Sequence, residues 1–379
     1  MKILVLCYEY PPLGGGGGRV AQAVAEQMVR RGHEVRVQTA ALGWQSVRET
    51  IGGVEVFRKA SGRRVPDTCT VREMGQYVVT SFLPTLRHIR TWKPDIIHAH
   101  FAVPTGALAW AAHRITGIPY VLTAHLGDVP GGVPEQTDRL FKFIDPFARR
   151  IWRDAAAATA VSSFVQELAE RAYGRTVTRI LNGIEHHQAP PVPRESDRIR
   201  QLLFIGRFNA QKNPVFLIDA LAELRGVSWH LTMIGDGPLR DKVQARIAHR
   251  MLGDRVTCTG WLDPEAVQRF LADADILCMP SLSEGMPVAA IEALAHGVAI
   301  VASDIPGMLD VVEHGVNGYL APIEGPVDAF VRKLQSLIES DTTLFAMKQA
   351  SWEKARTFDL ARIVDHYAAV LKGAASRER

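Results

Sequence analysis

Cysteine is scarce in this chain: Cys7, Cys69, Cys258 and Cys278 are the only four among 379 residues, and no C-x-x-C pair occurs. That excludes a disulfide framework and points to reduced, structural thiols in a cytoplasmic protein. Long apolar runs are missing as well. None reaches the roughly 18–20 uncharged residues that a membrane-spanning helix needs. The opening MKILVLCYEYPP has too short an apolar stretch and no small-residue cleavage site, so it reads as a buried strand and not as a signal peptide. Apart from Gly14–Gly18 there is no low-complexity tract and no short-period repeat. Glycine (31) and proline (21) are near average usage, which excludes collagen-like and linker-rich chains.

What is present is ordinary globular material. With 47% hydrophobic and 22% charged residues the chain can bury real cores, and its length suits two or three domains. Net charge is +4, unevenly spread. Residues 1–185 hold 23 Lys and Arg against 16 Asp and Glu, whereas residues 186–379 hold 21 against 24. A basic first half suggests an anionic partner, either a membrane surface or a phosphorylated acceptor, and no nucleic acid is expected.

Residues 1–181 alternate short apolar runs with longer stretches of helical period, the pattern of βαβ units around a parallel sheet. Expected strands are Lys2–Cys7, Glu34–Gln38, Val54–Arg58, Asp95–Ala99, Tyr120–Thr123, Ala157–Val161 and Thr178–Leu181. Helices are expected over Arg19–Arg31, Thr105–Thr116 and Ser163–Ala172. The pattern stops at Gly183–Arg198, which has three prolines and reads as a linker. It then restarts, with strands at Gln201–Ile205, Trp229–Ile234, Arg255–Thr259, Asp275–Met279, Ala299–Ala302 and Gly318–Ala321. The fold class is therefore α/β: two doubly wound parallel-sheet domains, residues 1–185 and 199–357. A C-terminal helix within 359–379 is free to pack back on the first domain.

Gly14–Gly18 lies between the first strand and a helix expected near Arg19, where backbone N–H groups can receive an anion. A nicotinamide reading fits poorly. The YEYPPL segment before the glycines is longer than a dinucleotide-fingerprint turn, and the second strand ends Gln38-Thr39 with no acidic residue for a ribose.

The most informative segment is PSLSEGMPVAAIEALAHGVAIV, residues 280–301. Glu284 and Glu292 are separated by seven intervening residues, the first in a loop after a strand and the second on the following helix. Between them Gly285, Met286, Pro287 and Val288 form a helix N-terminus, with Pro287 suited to the first helical position. Loop carboxylate, backbone amides and helix carboxylate can grip one nucleotide-sugar at three places.

Here the sequence resembles the family 4 glycosyltransferases, whose GT-B fold sets two Rossmann-like domains face to face across a cleft. The resemblance is carried by Glu284 and Glu292, by Gly206-Arg207-Phe208-Asn209-Ala210-Gln211-Lys212-Asn213, by Gly235-Asp236-Gly237-Pro238, by Thr259-Gly260-Trp261 and by the glycine loop with Gly16 and Gly17. Residues 48–91 match no part of the pattern that we recognise.

The resemblance implies a retaining hexosyl transfer from a UDP- or GDP-sugar to a glycan, a lipid-linked glycan or a glycolipid precursor. It implies that Arg207 and Lys212 neutralise the leaving diphosphate, that Glu284 meets the donor-sugar hydroxyls and that Glu292 meets the ribose. It also implies an active-site histidine from the first domain, a place that His125 fills directly after its strand. Gly16, Gly17, Trp261 and residues 285–288 join the donor site, and His125–Gly132 begins a loop expected to shape the acceptor site, with Asp128 as its acceptor contact. Lys212 is expected at a solvated edge, where its loss changes stability little.

No metal or other cofactor is expected. His98 and His100 have ligand-like spacing but no accompanying Cys or carboxylate cluster, so they are structural or acceptor-facing. Asp273-Ala274-Asp275 resembles a D-x-D metal motif but precedes its strand, at the wrong edge of the sheet. Arg139–Arg153 mixes basic and large apolar residues and can rest on an anionic bilayer, with Pro146 expected to break any single helix there. Two other functions fit the same plan: a sugar-nucleotide epimerase or phosphorylase, and a non-catalytic nucleotide-sugar scaffold.

Overall fold

The computed structural model describes residues 1–185, 189–193 and 199–376, without the side chains of residues 135, 136 and 138–140. The chain divides into two compact units, Met1–Gly183 with Leu360–Arg379, and Ile184–Asp359.

In the first unit the strands are β1 (Lys2–Leu6), β2 (Glu34–Leu42), β3 (Val47–Ile51), β4 (Val54–Arg63), β5 (Ile96–His100), β6 (Tyr120–Ala124), β7 (Ala157–Ala160) and β8 (Thr178–Arg179). They form one sheet in the order β3-β4-β2-β1-β5-β6-β7-β8. β3 runs antiparallel to β4 and the other pairings are parallel. The helices are α1 (Gly16–Arg30), α2 (Val71–Trp92), α3 (Thr105–Thr116), α4 (Pro134–Asp154) and α5 (Ser163–Tyr173). β5 and β6 are buried at every residue, as parallel strands covered on both faces must be. The chain winds outward from β1 to β2 and β4, then returns through α2 to β5. The topological switch, where open α/β sheets bind ligands, therefore lies between β1 and β5.

The second unit has β9 (Arg200–Ile205), β10 (Trp229–Ile234), β11 (Val256–Gly260), β12 (Ile276–Met279), β13 (Ala299–Ser303) and β14 (Gly318–Ala321), all parallel, in the order β11-β10-β9-β12-β13-β14. Its helices are α6 (Pro214–Ala222), α7 (Arg240–His249), α8 (Pro264–Asp273), α9 (Val288–Ala295), α10 (Asp328–Glu339) and α11 (Asp341–Ala355). Leu202, Phe204, Leu231, Met233, Phe330 and Leu334 anchor its core. The switch here falls between β9 and β12. After Asp359 the chain returns to the first unit as α12 (Leu360–Ser376), where Arg31 on α1's C-terminal side bonds the Asp365 carboxylate at 3.0 Å and the Ala361 carbonyl at 2.7 Å.

Four local expectations are corrected. α1 begins at Gly16, not near Arg19. A Cβ at Gly18 would stand 2.6 Å from the Glu9 carbonyl oxygen, so glycine lets the helix start tight against that backbone. Residues 48–91, which matched no recognised pattern, form most of the β3–β4 hairpin and α2. A Thr70–Glu73 capping box starts that helix: the Glu73 N–H donates to the Thr70 hydroxyl at 3.3 Å and the Thr70 N–H to the Glu73 carboxylate at 2.7 Å.

Pro146 does not break α4, which runs through it. Both Pro146 and Lys142 are exposed, so water can bond the carbonyl that the proline leaves without a donor. The buried face of α4 carries Phe141, Ala148, Ile151 and Trp152, with Lys142, Arg149, Arg150 and Arg153 outside. The side chains of Arg139 and Leu140 lie outside the description. Pro287 occupies the N-cap of α9, one place before the position expected. Of the predicted linker, residues 186–188 and 194–198 also lie outside the described residues. Pro191 packs where a Cβ at Gly297 would approach its ring to 2.9 Å.

Candidate active site

Each sheet carries a cluster of the expected residues at its switch point. In the second unit the loop after β9 holds Arg207 and Lys212, and the loop after β12 holds Glu284. The two loops are joined by hydrogen bonds. The Leu282 N–H donates to the Gln211 carbonyl at 2.7 Å, and the Gln211 side-chain amide donates to the Ser283 carbonyl at 3.0 Å. Lys212 Nζ then reaches Glu284 Oε1 at 2.6 Å. The Lys212 side chain is 20% exposed and that of Glu284 is 6% exposed, so this is a mostly buried ion pair. The expectation of a solvated, energetically neutral Lys212 is corrected, because Glu284 depends on it for charge compensation.

Glycines with backbone neighbours shape the rest of the cluster. Gly235 has φ +139 and Gly237 has φ +153, and a Cβ on either would press into the Gly206–Phe208 backbone. The Phe208 N–H donates to the Asp236 carbonyl at 2.8 Å and the Leu239 N–H to the Phe208 carbonyl at 2.8 Å, which ties the Gly235–Pro238 turn to the Arg207 loop. A Cβ at Gly307 would overlap the Glu284 carbonyl oxygen. This glycine was missed from sequence, although its Pro306-Gly307 pair is a turn signal.

Gly285, Met286 and Pro287 are buried and lead into α9 at Val288. Glu292, one turn into that helix, is also buried. Trp261 follows β11 and is 52% exposed. It adjoins Gly260, whose carbonyl accepts the Gly235 N–H at 2.9 Å.

In the first unit the structure brings Gly17 and His125 together. A Cβ at Gly17 would meet the Phe101 ring at 2.5 Å and His125 Nδ1 at 3.2 Å. Gly16 is exposed at the first position of α1. His125 is buried, its ring 4.4 Å from that of Phe101, and Phe101 itself sits at φ +70, an uncommon conformation for a bulky residue.

His125 Nε2 lies 3.1 Å from His100 Nδ1, and His98 Nε2 lies 2.8 Å from the Thr123 hydroxyl. His98 and His100 are thus structural neighbours of His125. Burial holds the His98 and His125 imidazoles down at about 3, and His100 well below its ordinary value, so all three are neutral near pH 7. Among the described residues, buried His100 Nε2 has no hydrogen-bond partner. An orphaned acceptor is tolerated better than an orphaned donor. His100 therefore carries its proton on Nδ1 and donates to His125 Nε2. That leaves the His125 proton on Nδ1, the nitrogen beside Gly17.

Asp128, expected as an acceptor contact, clamps backbone in the structure. It is 2% exposed, and its carboxylate accepts the N–H groups of Ala102 at 2.7 Å, His125 at 2.9 Å and Leu126 at 3.0 Å. Asp275 of the D-x-D copy is buried too. It accepts the Gln201 N–H at 2.9 Å and pairs with Lys348 at 3.1 Å, so it links strands and helix at the N-terminal edge of the sheet. No helix among the described residues is long and apolar enough to cross a membrane. Cys7, Cys69, Cys258 and Cys278 are free thiols.

Comparison with known proteins agrees with this layout. Residues 14–188 match Glycosyltransferase Family 4 and residues 188–355 match Glycosyl transferases group 1. TuaC of Bacillus subtilis (strain 168), named as a teichuronic acid biosynthesis glycosyltransferase, is 30% identical over 266 residues, covering 68% of this chain and 64% of that protein. The fold is shared with sucrose-phosphate synthase from Thermosynechococcus elongatus, at TM-score 0.84 and 20% identity over 98% of both chains. It is also shared with HepE of Anabaena, solved with UDP-glucose, at TM-score 0.78 and 21% identity over 98% of this chain and 99% of that one. The two matches in tandem, each with its motif residues at a sheet switch point, place this chain among the family 4 glycosyltransferases of GT-B type.

Proposed function

We propose that this glycosyltransferase moves a hexose from a UDP- or GDP-sugar to a glycan, a lipid-linked glycan or a glycolipid precursor, with retention of anomeric configuration. The Lys212–Glu284 pair carries the reading: a cation and a carboxylate held at the β9/β12 switch point, next to the 285–288 amides. When a donor enters, the ammonium turns from Glu284 to the diphosphate and the carboxylate is released to the sugar hydroxyls. Arg207 adds a planar donor fork, and Glu292 accepts from the ribose. These charges and amides act where negative charge develops on the leaving diphosphate, so the transfer needs no metal. Neutral His125 offers its Nδ1 proton, and Gly17 lets the start of α1 pack against the Phe101 and His125 rings. The UDP-glucose held by HepE supports a nucleotide-sugar donor here. The free thiols support a cytoplasmic site of action, and the basic outer face of α4 supports contact with an anionic inner membrane face.

Calorimetric titration of the full chain with UDP- and GDP-sugars tests this reading. One nucleotide-sugar should bind at a single site and lose affinity in Lys212→Ala and Glu284→Gln. Binding of none, or binding indifferent to both changes, overturns it.

A further inference from the structure

A polar cavity lies in the first unit, at the far edge of the sheet from His125. The strand registers build it. Arg36 pairs with Glu55 across β2 and β4, and Arg48 with Phe57 across β3 and β4. Alternation along each strand puts Arg36, Arg48, Glu55, Phe57 and Lys59 on one face of this three-stranded edge. The second half of α2 covers that face with Leu83, Arg87 and His88, and encloses about 490 Å³. That volume lies within the usual range for small-ligand sites, roughly 300–1,000 Å³.

The cavity is strongly cationic. Arg36, Arg48, Lys59 and Arg87 line it, and among the described residues the acidic partner there is Glu55, which accepts Arg36 Nε at 2.7 Å and also pairs with Arg48. Three of the cations crowd one aromatic ring: Arg36, Arg48 and Lys59 lie 5.7, 5.2 and 5.9 Å from the Phe57 centroid. The field is felt by its neighbours. Lys59 is held below the usual lysine range by burial and by Arg87, and His88 is pushed down to about 4 by burial and by Arg36, Lys59 and Arg48. Gathering like charges in a half-enclosed space is unfavourable unless an anion relieves it. Arginine forks on opposite walls suit the paired oxygens of a phosphate group.

We propose that this cavity binds a multiply charged oxyanion of the phosphate class, free in solution or carried by a lipid headgroup. It is separate from the reacting residues and does not rest on the function proposed above. Arg36 stands near the N-terminal end of β2, whereas Gly17 and His125 follow the C-terminal ends of β1 and β6. Phe57 and Leu83 give the ligand's uncharged part an apolar wall.

The 379-residue chain carrying Lys212→Ala, which weakens any competing phosphate site in the second unit, is titrated with pyrophosphate. It is also sedimented with vesicles of phosphatidylglycerol or phosphatidylcholine. Both are repeated after adding Lys59→Ala and Arg87→Ala. Saturable pyrophosphate binding that falls at least tenfold in the added variants supports a soluble ligand. Sedimentation with phosphatidylglycerol alone, lost in the same variants, supports a headgroup. Binding unaffected by Lys59→Ala and Arg87→Ala, or no binding in either arm, overturns the proposal. Should the variants misfold, the His88 ring resonances of the parent decide. Displacement by pyrophosphate or by phosphatidylglycerol supports the site, and silence with both overturns it.

Discussion

Lys212 and Glu284 stand 72 residues apart in sequence and 2.6 Å apart in space, joining the loops after β9 and β12. Each side chain compensates the other's charge in a setting with little solvent. Lys212→Ala should therefore act twice. Turnover should fall roughly 100-fold or more, the usual weight of a contact to developing negative charge. Stability should fall as well, by about 1–3 kcal/mol, because Glu284 is left buried without its cation. Steady-state kinetics at saturating donor and a denaturation midpoint check both. Unchanged stability would mean that the ion pair is not maintained in solution.

Glu292→Gln should weaken donor binding tenfold or more through loss of a charged acceptor, worth about 1.5–3 kcal/mol. A 2′-deoxyribose donor analogue should be weakened much less. Titration of both donors against both proteins separates the outcomes, and equal weakening would remove Glu292 from the ribose.

Gly307→Ala tests how Glu284 is placed. A new Cβ would overlap the Glu284 carbonyl oxygen, so the 281–284 loop must shift and activity should drop with stability. Gly15→Ala is the control: a Cβ there meets nothing within 4 Å, and stability should change by no more than about 0.5 kcal/mol. Wild-type donor affinity in Gly307→Ala would show that the loop backbone does not set the site.

Acid should destabilise the first unit through its buried histidines. An unfolded imidazole gains its proton below about pH 6.5, whereas His98 and His125 resist protonation down to about 3. Their contribution is complete above pH 6.5 and is lost as pH falls toward 3, at up to about 1.4 kcal/mol per pH unit for each imidazole. His98→Gln, whose amide can still reach the Thr123 hydroxyl, should flatten the dependence of the melting temperature between pH 7 and 4.5. An identical slope in the two proteins would mean that His98 does not stay neutral in the fold.

Much of this architecture is legible in the sequence because parallel strands buried on both faces read as apolar runs, as in ILCM and YVLTA. The segment 48–91 was opaque for the opposite reason. β3, an edge strand, is polar and largely exposed, and α2 exposes Val71 and Val79, which blurs its period. Motif spacing marked Lys212 and Glu284 singly, but only the adjacency of β9 and β12 makes them partners. The backbone-clamping role of Asp128 went unread, because the sequence pointed only to an acceptor loop beginning at His125. Its Asx-type bonding to nearby backbone N–H groups was the available alternative signal.

The most direct test follows the sugar. The full chain is incubated in EDTA with a panel of UDP- and GDP-sugars and with glycan and lipid-linked acceptors, and the product is read by mass spectrometry and proton NMR. The account predicts an acceptor heavier by one sugar, a released nucleoside diphosphate, an anomeric configuration equal to the donor's, and loss of all three in Lys212→Ala. Nucleotide-sugar consumed without an acceptor, an inverted anomeric centre, or activity that EDTA abolishes and magnesium or manganese restores would contradict it.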